Sequence, residues 1–183
     1  MSFVSRVLAA ATALLLSACA GLSSLSSQGG VEFELTARIA VRFGEEATSG
    51  NLAWRHLADG DELLITNPFG QGVARVVRDR ALVILTTQDA REYRAEDAET
   101  LTERALGFRL PLAGLADWVR ARAAPGPSRA KRDARGRLAE LQQSGWTIEY
   151  LAFRDDGELP SRMRLSYPGL ELRLAISDWR AVQ

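Results

Sequence analysis

The segment Leu170–Ile176 fixes more about this chain than any other stretch of similar length. Leu170, Leu172, Leu174 and Ile176 alternate with Glu171, Arg173 and Ala175. Period two is the spacing of a β-strand, whose successive side chains point to opposite faces. The same alternation runs through "TARIAVRF", where Ala37, Ile39, Val41 and Phe43 oppose Arg38 and Arg42, and through "GNLAWR", where Leu52 and Trp54 oppose Asn51, Ala53 and Arg55. Strand-like runs continue in "ELLIT", "GVARVV", "ALVILTT" and "REYRA", and later in "RLAELQQ", "WTIEYLAF" and "RMRLSYP". Short turn signals separate the early runs: Gly44-Glu45-Glu46, Asp59-Gly60-Asp61, Asn67-Pro68-Phe69-Gly70 and Arg78-Asp79-Arg80. Strands joined by such short connections pair antiparallel. Strand parity puts Ile39, Val41, Leu52, Trp54, Ile148, Tyr150, Leu172 and Leu174 on the apolar side. That face must be covered.

The middle of the chain supplies the cover. Asp97 is placed to cap "AETLTERALG", with Gly107 as its stop. Pro111 opens "PLAGLADWVRAR", with Leu112, Leu115 and Trp118 on one face. The following "AAPGPSRAKRDARG" reads as a loop. Helices this few suit the mouth of a curled sheet. Period two fits a filled core and an open cavity equally.

The N-terminus sets the compartment. Residues 7–16 form an apolar run, the length of a signal-peptide core and too short to span a bilayer as a helix. It ends in Leu16-Ser17-Ala18-Cys19, which resembles the bacterial lipobox. An ordinary export signal with an incidental Cys is the alternative, but Cys19 is the only cysteine and stands where a lipobox needs it. Residues 1–18 are thus expected to be a lipoprotein signal peptide. Residues 19–34 would be a lipidated Cys and flexible Gly/Ser tether, and 35–183 a single domain. Acylation of Cys19 would leave the mature chain without a thiol, hence without a disulfide or Cys-based metal site. By the sorting rule of such lipoproteins, Ala20 in place of Asp favours the outer membrane.

Catalytic signatures are missing. Formal net charge is zero, which argues against nucleic acid as a partner. His56 is the only histidine. No G-x-S-x-G stretch offers a partner nucleophile, so it reads as a solvent-facing residue near a turn. No P-loop, G-x-G-x-x-G or metal-ligand spacing appears. Asp155-Asp156-Gly157 is a hairpin turn, and Glu96, Asp97 and Glu99 form the acidic first turn of a helix. The expectation is a non-enzyme with no cofactor and no metal. Arg120, Arg122, Arg129, Lys131, Arg132, Arg135 and Arg137 face Asp133 alone among the carboxylates of 120–137. That stretch is a solvated loop or a patch for anionic lipid or an acidic partner.

One turn carries an odd residue. In Asn67-Pro68-Phe69-Gly70, Asn suits the first position of a type I turn, Pro the second and Gly the fourth. The third, whose side chain points off the tip, is Phe69. Burying a Phe is worth about 1.5–3 kcal/mol, most of which this position gives up.

These stretches together resemble the LolB family of outer-membrane lipoproteins. The matches run in order: the lipobox with Cys19, "TARIAV", "GNLAWR", "LLITNPFG", "YRAEDAETL", "LGFRLPLAGLADWV", "GRLAELQQSGW" and "LELRLAISDW". The resemblance implies an incomplete antiparallel β-barrel, a half-barrel, with a helical lid over a hydrophobic cavity. It implies a lipid-anchored protein facing the periplasm, which receives acylated lipoproteins from the soluble carrier LolA and inserts them into outer-membrane phospholipid without nucleotide hydrolysis. A monomer is expected. In the family an apolar residue, usually Leu, protrudes from a loop and is needed for insertion; the matching position is Phe69, flanked by Pro68 and Gly70. The eight apolar-face residues would receive acyl chains, although Trp54, like Trp118, Trp146 and Trp179, also suits core packing. The alternatives are a lipid-binding or scaffolding lipoprotein without transfer activity and, against the missing motifs, a periplasmic hydrolase.

Overall fold

The computed structural model describes residues 30–181, except 81 and 108. A first meander comprises β1 (Val31–Phe43), β2 (Glu46–Leu57), β3 (Gly60–Thr66), β4 (Gly72–Asp79), β5 (Leu82–Thr87) and β6 (Glu92–Ala95). Two helices follow, α1 (Ala98–Leu106) and α2 (Leu112–Trp118). A second meander contains β7 (Ser128–Arg132), β8 (Leu138–Gln143), β9 (Trp146–Phe153), β10 (Pro160–Tyr167) and β11 (Leu170–Ala181). The long strands β1 and β11 pair and fuse the meanders into one antiparallel sheet of 11 strands, ordered β6-β5-β4-β3-β2-β1-β11-β10-β9-β8-β7.

Both helices lie on the apolar face. Asp97 accepts hydrogen bonds from the Glu99 and Thr100 amides, and Gly107 stops α1 at φ +80°, as the capping pattern predicts. Helix α1 packs on β5 and β6 and touches α2. Thr102 Oγ1 donates to Ala98 O and accepts from Leu110 N, both at 2.8 Å, tying α1 to the approach to α2. At the far side, Trp118 Nε1 donates to Gln143 Oε1 on β8 (2.9 Å), and Tyr150 on β9 donates its hydroxyl to Trp118 O (2.9 Å). Strands β5 and β9 are seven steps apart in the sheet, roughly 34 Å if it were flat. Helices of about 13 and 10 Å that touch each other reach both ends only because the sheet curls around them. Strands β6 and β7 end the sheet, each paired on one side only among the described residues, so the curl is open.

The concave face is packed. Val76, Leu85, Leu141, Ile148 and Leu165 are fully buried, and one continuous cluster joins them to Leu101, Leu112, Leu115 and Trp118 from the helical segment.

Four readings from sequence change here. Residues 128–132, read as loop, form β7, whose five side chains are all exposed; with no apolar face the strand left no period-two signal, and its charges guard a free sheet edge. Helix α2 ends at Trp118 rather than running on, because the next amides turn back onto Asp117 O and Trp118 O. Strand β1 begins at Val31, ahead of Leu35, since Phe33 packs on Trp54 with ring centroids 5.2 Å apart. Phe43, at the other end of β1, is half exposed rather than inward.

Candidate functional site

The β3–β4 connection is held by its own polar groups. Gly70 N donates to Asn67 O (2.9 Å) and closes the turn, with Gly70 at φ +86°. Asn67 Oδ1 accepts from the amides of Phe69 (2.9 Å) and Gln71 (3.0 Å), and Asn67 Nδ2 donates to Gln71 Oε1 (2.8 Å). The base of the turn is clamped to β2: Asn51 Nδ2 donates to Asn67 O at 3.3 Å. Gly50 lies so close that an added Cβ would sit 2.2 Å from Thr66 O, so no other residue fits there without moving the hairpin. Nothing folds over the ring at the tip. Phe69 is 91% exposed, far more than any other large apolar side chain described. Burial energy would draw a ring on a loose tip back onto the sheet; the Asn67 network keeps this one out.

The second part is the concave face. Ile39, Val41, Leu52, Trp54, Ile148, Tyr150, Leu172 and Leu174 are all buried there. Trp118 and Trp146 pack at 6.2 Å, while Trp179 is half-buried, against Phe33. Burial pushes the Tyr150 phenol well above the ordinary tyrosine value.

His56 corrects its sequence reading. It is buried, with Nδ1 2.6 Å from Asp61 Oδ1 and its ring 4.8 Å from that of Phe33. Asp61, fully buried, also accepts from Trp54 Nε1 (2.9 Å) and Arg78 Nε (2.7 Å). The signal was hairpin register. The tight β2–β3 turn sets His56 opposite Asp61, and the β3–β4 hairpin sets Arg78 opposite it on the other side. This is a structural network: no group of His, Cys, Asp and Glu able to hold a metal occurs among the described residues. Four of the seven bases of the 120–137 stretch are paired within the fold, while Arg129, Arg132 and Arg135 have no ion pair among the described residues. Arg120 pairs with Glu32, Arg122 with Asp117, Lys131 with Glu140 and Arg137 with Asp133.

Residues 31–179 match the family model described as "Outer membrane lipoprotein LolB". The chain belongs to the LolB family. The outer-membrane lipoprotein LolB of Thiobacillus denitrificans is 43% identical over 150 residues, which cover 80% of this chain and 79% of that one. That of an Azoarcus species is 34% identical over 183 residues, covering 96% and 95%. Among solved structures, a LolA superfamily protein from Nitrosomonas europaea superposes with a TM-score of 0.52 over 85% of this chain and 88% of that one, at 14% identity; the likeness is one of fold. LolB membership places the chain at the outer membrane as a lipid-anchored protein, the location that the lipobox-like segment predicts. Cys19 itself lies outside the described residues. No helix among the described residues is long and apolar enough to cross a membrane.

Proposed function

We propose that the chain accepts acylated lipoproteins from a LolA-like periplasmic carrier and incorporates them into outer-membrane phospholipid by passive exchange. The observation that carries the reading is Phe69, 91% exposed at the tip of a turn braced by Asn67 and Asn51, on a protein of a lipid-anchored family. A scaffold gains nothing from that ring, whereas an insertase needs an apolar group that enters the acyl layer. The cargo's acyl chains take the concave face, displacing α1 and α2 from the apolar surface they cover. Direction follows from burial. Each methylene contributes about 0.8 kcal/mol, so chains move down a gradient from carrier to this domain to bilayer if each step covers slightly more of them. No nucleotide is needed.

The test is a transfer assay with a labelled lipoprotein on LolA, the domain without its anchor, and liposomes. Phe69→Glu is expected to accept label from LolA at near wild-type rate and to deliver about tenfold less to liposomes, a loss of about 1.4 kcal/mol. Delivery that survives the substitution refutes the insertion role. Failure of the wild type to take label refutes the receptor role.

A further inference from the structure

We propose that the outer face of the sheet beside the Phe69 turn docks on the phosphate head groups of an anionic bilayer. Four arginines meet there from three neighbouring strands: Arg38 on β1, Arg173 on β11, and Arg162 and Arg164 on β10. The register brings them together. Ala175 is paired with Arg38 on one side and Arg162 on the other, and Arg173 stands between Ala40 and Arg164. The two alanines and Ser49 leave a depression of about 550 Å³ among the guanidiniums.

The charges of this patch are not balanced within the fold. Glu171 takes Arg173 Nε at 2.8 Å and Glu149 takes Arg164 Nη1 at 3.0 Å. Arg38 and Arg162 have no ion pair among the described residues. Arg164 Nε is buried without a hydrogen-bond partner, with a Glu171 carboxylate oxygen 3.6 Å away. An unsatisfied buried donor costs free energy unless a ligand completes it. Two unpaired guanidiniums and an orphan N–H around a small-residue floor suit an anion with several oxygens, and the planar arginine fork matches phosphate.

The rim points to a bilayer as the source of that phosphate. Pro68, next to Phe69, forms part of the wall, and Leu151, 50% exposed, forms another part. Apolar groups at the rim with arginines behind them are the arrangement of an interfacial anchor, in which the former enter the acyl layer and the latter stay level with the head groups. This inference takes its orientation from the insertion role of Phe69 and adds a second, electrostatic contact.

The chain from Ala20 serves for the test, because every buried core residue among the described ones lies between Phe33 and Ile176. Its binding is measured on vesicles of phosphatidylcholine alone and with phosphatidylglycerol added. A basic residue near an anionic surface contributes about fivefold, so Arg38→Gln with Arg162→Gln is expected to lose roughly 25-fold on the anionic vesicles and nothing on the neutral ones. Arg129→Gln with Arg135→Gln removes equal charge from exposed positions elsewhere and is expected to change neither. Equal binding by the Arg38/Arg162 variant and the wild type, or an equal loss in the control pair, overturns the proposal. Release from the vesicles by inorganic phosphate at constant ionic strength also overturns it, since the site would then take a free anion. Phe69→Ala is expected to weaken binding to both compositions; if it weakens neither while the arginine loss persists, the insertion role falls and head-group docking stands.

Discussion

Asp61 is the residue on which the rim of the domain depends. It is fully buried, and Trp54, His56 and Arg78 all converge on it from neighbouring strands. Removing one member of a buried charged network leaves the others desolvated and unpaired, at a cost of about 3–5 kcal/mol. Asp61→Asn keeps the shape but loses the charge and turns an amide toward Arg78. Urea unfolding followed by tryptophan emission is expected to show a loss of about 3 kcal/mol; a loss below about 1 kcal/mol would mean that the network is solvated and only ordinary hydrogen bonds are at stake. Phe69 is the opposite case, a residue whose position serves no stability. Its exposure was legible in the sequence because Asn67, Pro68 and Gly70 each have a defined place in a turn. The role of Asp61 was not, since its three partners, two on β2 and one on β4, become its neighbours only once register is known.

At the scale of elements, α2 is held to the sheet by polar contacts at one end. Gln143 Oε1 accepts from Trp118 Nε1 and from Ala124 N, its Nε2 donates to Ala124 O, and Tyr150 donates to Trp118 O. The Tyr150 contact gives the fold a pH dependence. Burial raises the folded-state pKa of this phenol above its ordinary value of 10.0, so the folded chain holds the proton more tightly than the unfolded one. That contribution is complete below pH 10 and is lost as pH rises toward the folded value. A phenolate, moreover, has no proton to donate to Trp118 O. Urea unfolding between about pH 9 and pH 11.5 is expected to show a steeper loss for the wild type than for Tyr150→Phe; parallel curves would place the phenol in contact with water. Apart from β7, the strands of both meanders could be read from alternation, strand-like runs and turn signals, and α1 from Asp97 and Gly107. Strand β7 could not, because nothing along Ser128–Arg132 is buried. The end of α2 was equally hidden, since "WVRAR" continues a good helical pattern and only the turn at Ala121, with φ +55°, ends it.

At the scale of the molecule, one sheet meets two environments. Its convex face carries the arginine depression and the root of the Phe69 turn, while its concave face holds a continuous apolar cluster under the helices. Alternation in the sequence foretold both faces, but not that the inner one closes on itself, which depends on how far the sheet curls. A closed apolar cluster accepts an acyl chain only by exchange: residues of α1 and α2 give up contacts that the chain then makes, so the net gain is smaller than burial from water would supply. Under the proposed function that keeps affinity moderate, so that bound cargo can leave for the bilayer. The exchange has a spectroscopic consequence. Trp118 rides on α2 and Trp146 on β9, 6.2 Å apart across the boundary that opens in the proposed exchange. A fatty acid brominated along its chain is expected to quench the buried tryptophans on binding, and Trp118→Phe is expected to remove a large part of that quenching while leaving binding within about threefold, since Phe keeps most of the apolar contact. Binding without quenching would put the chain on the convex face, and would assign the concave cluster to stability alone.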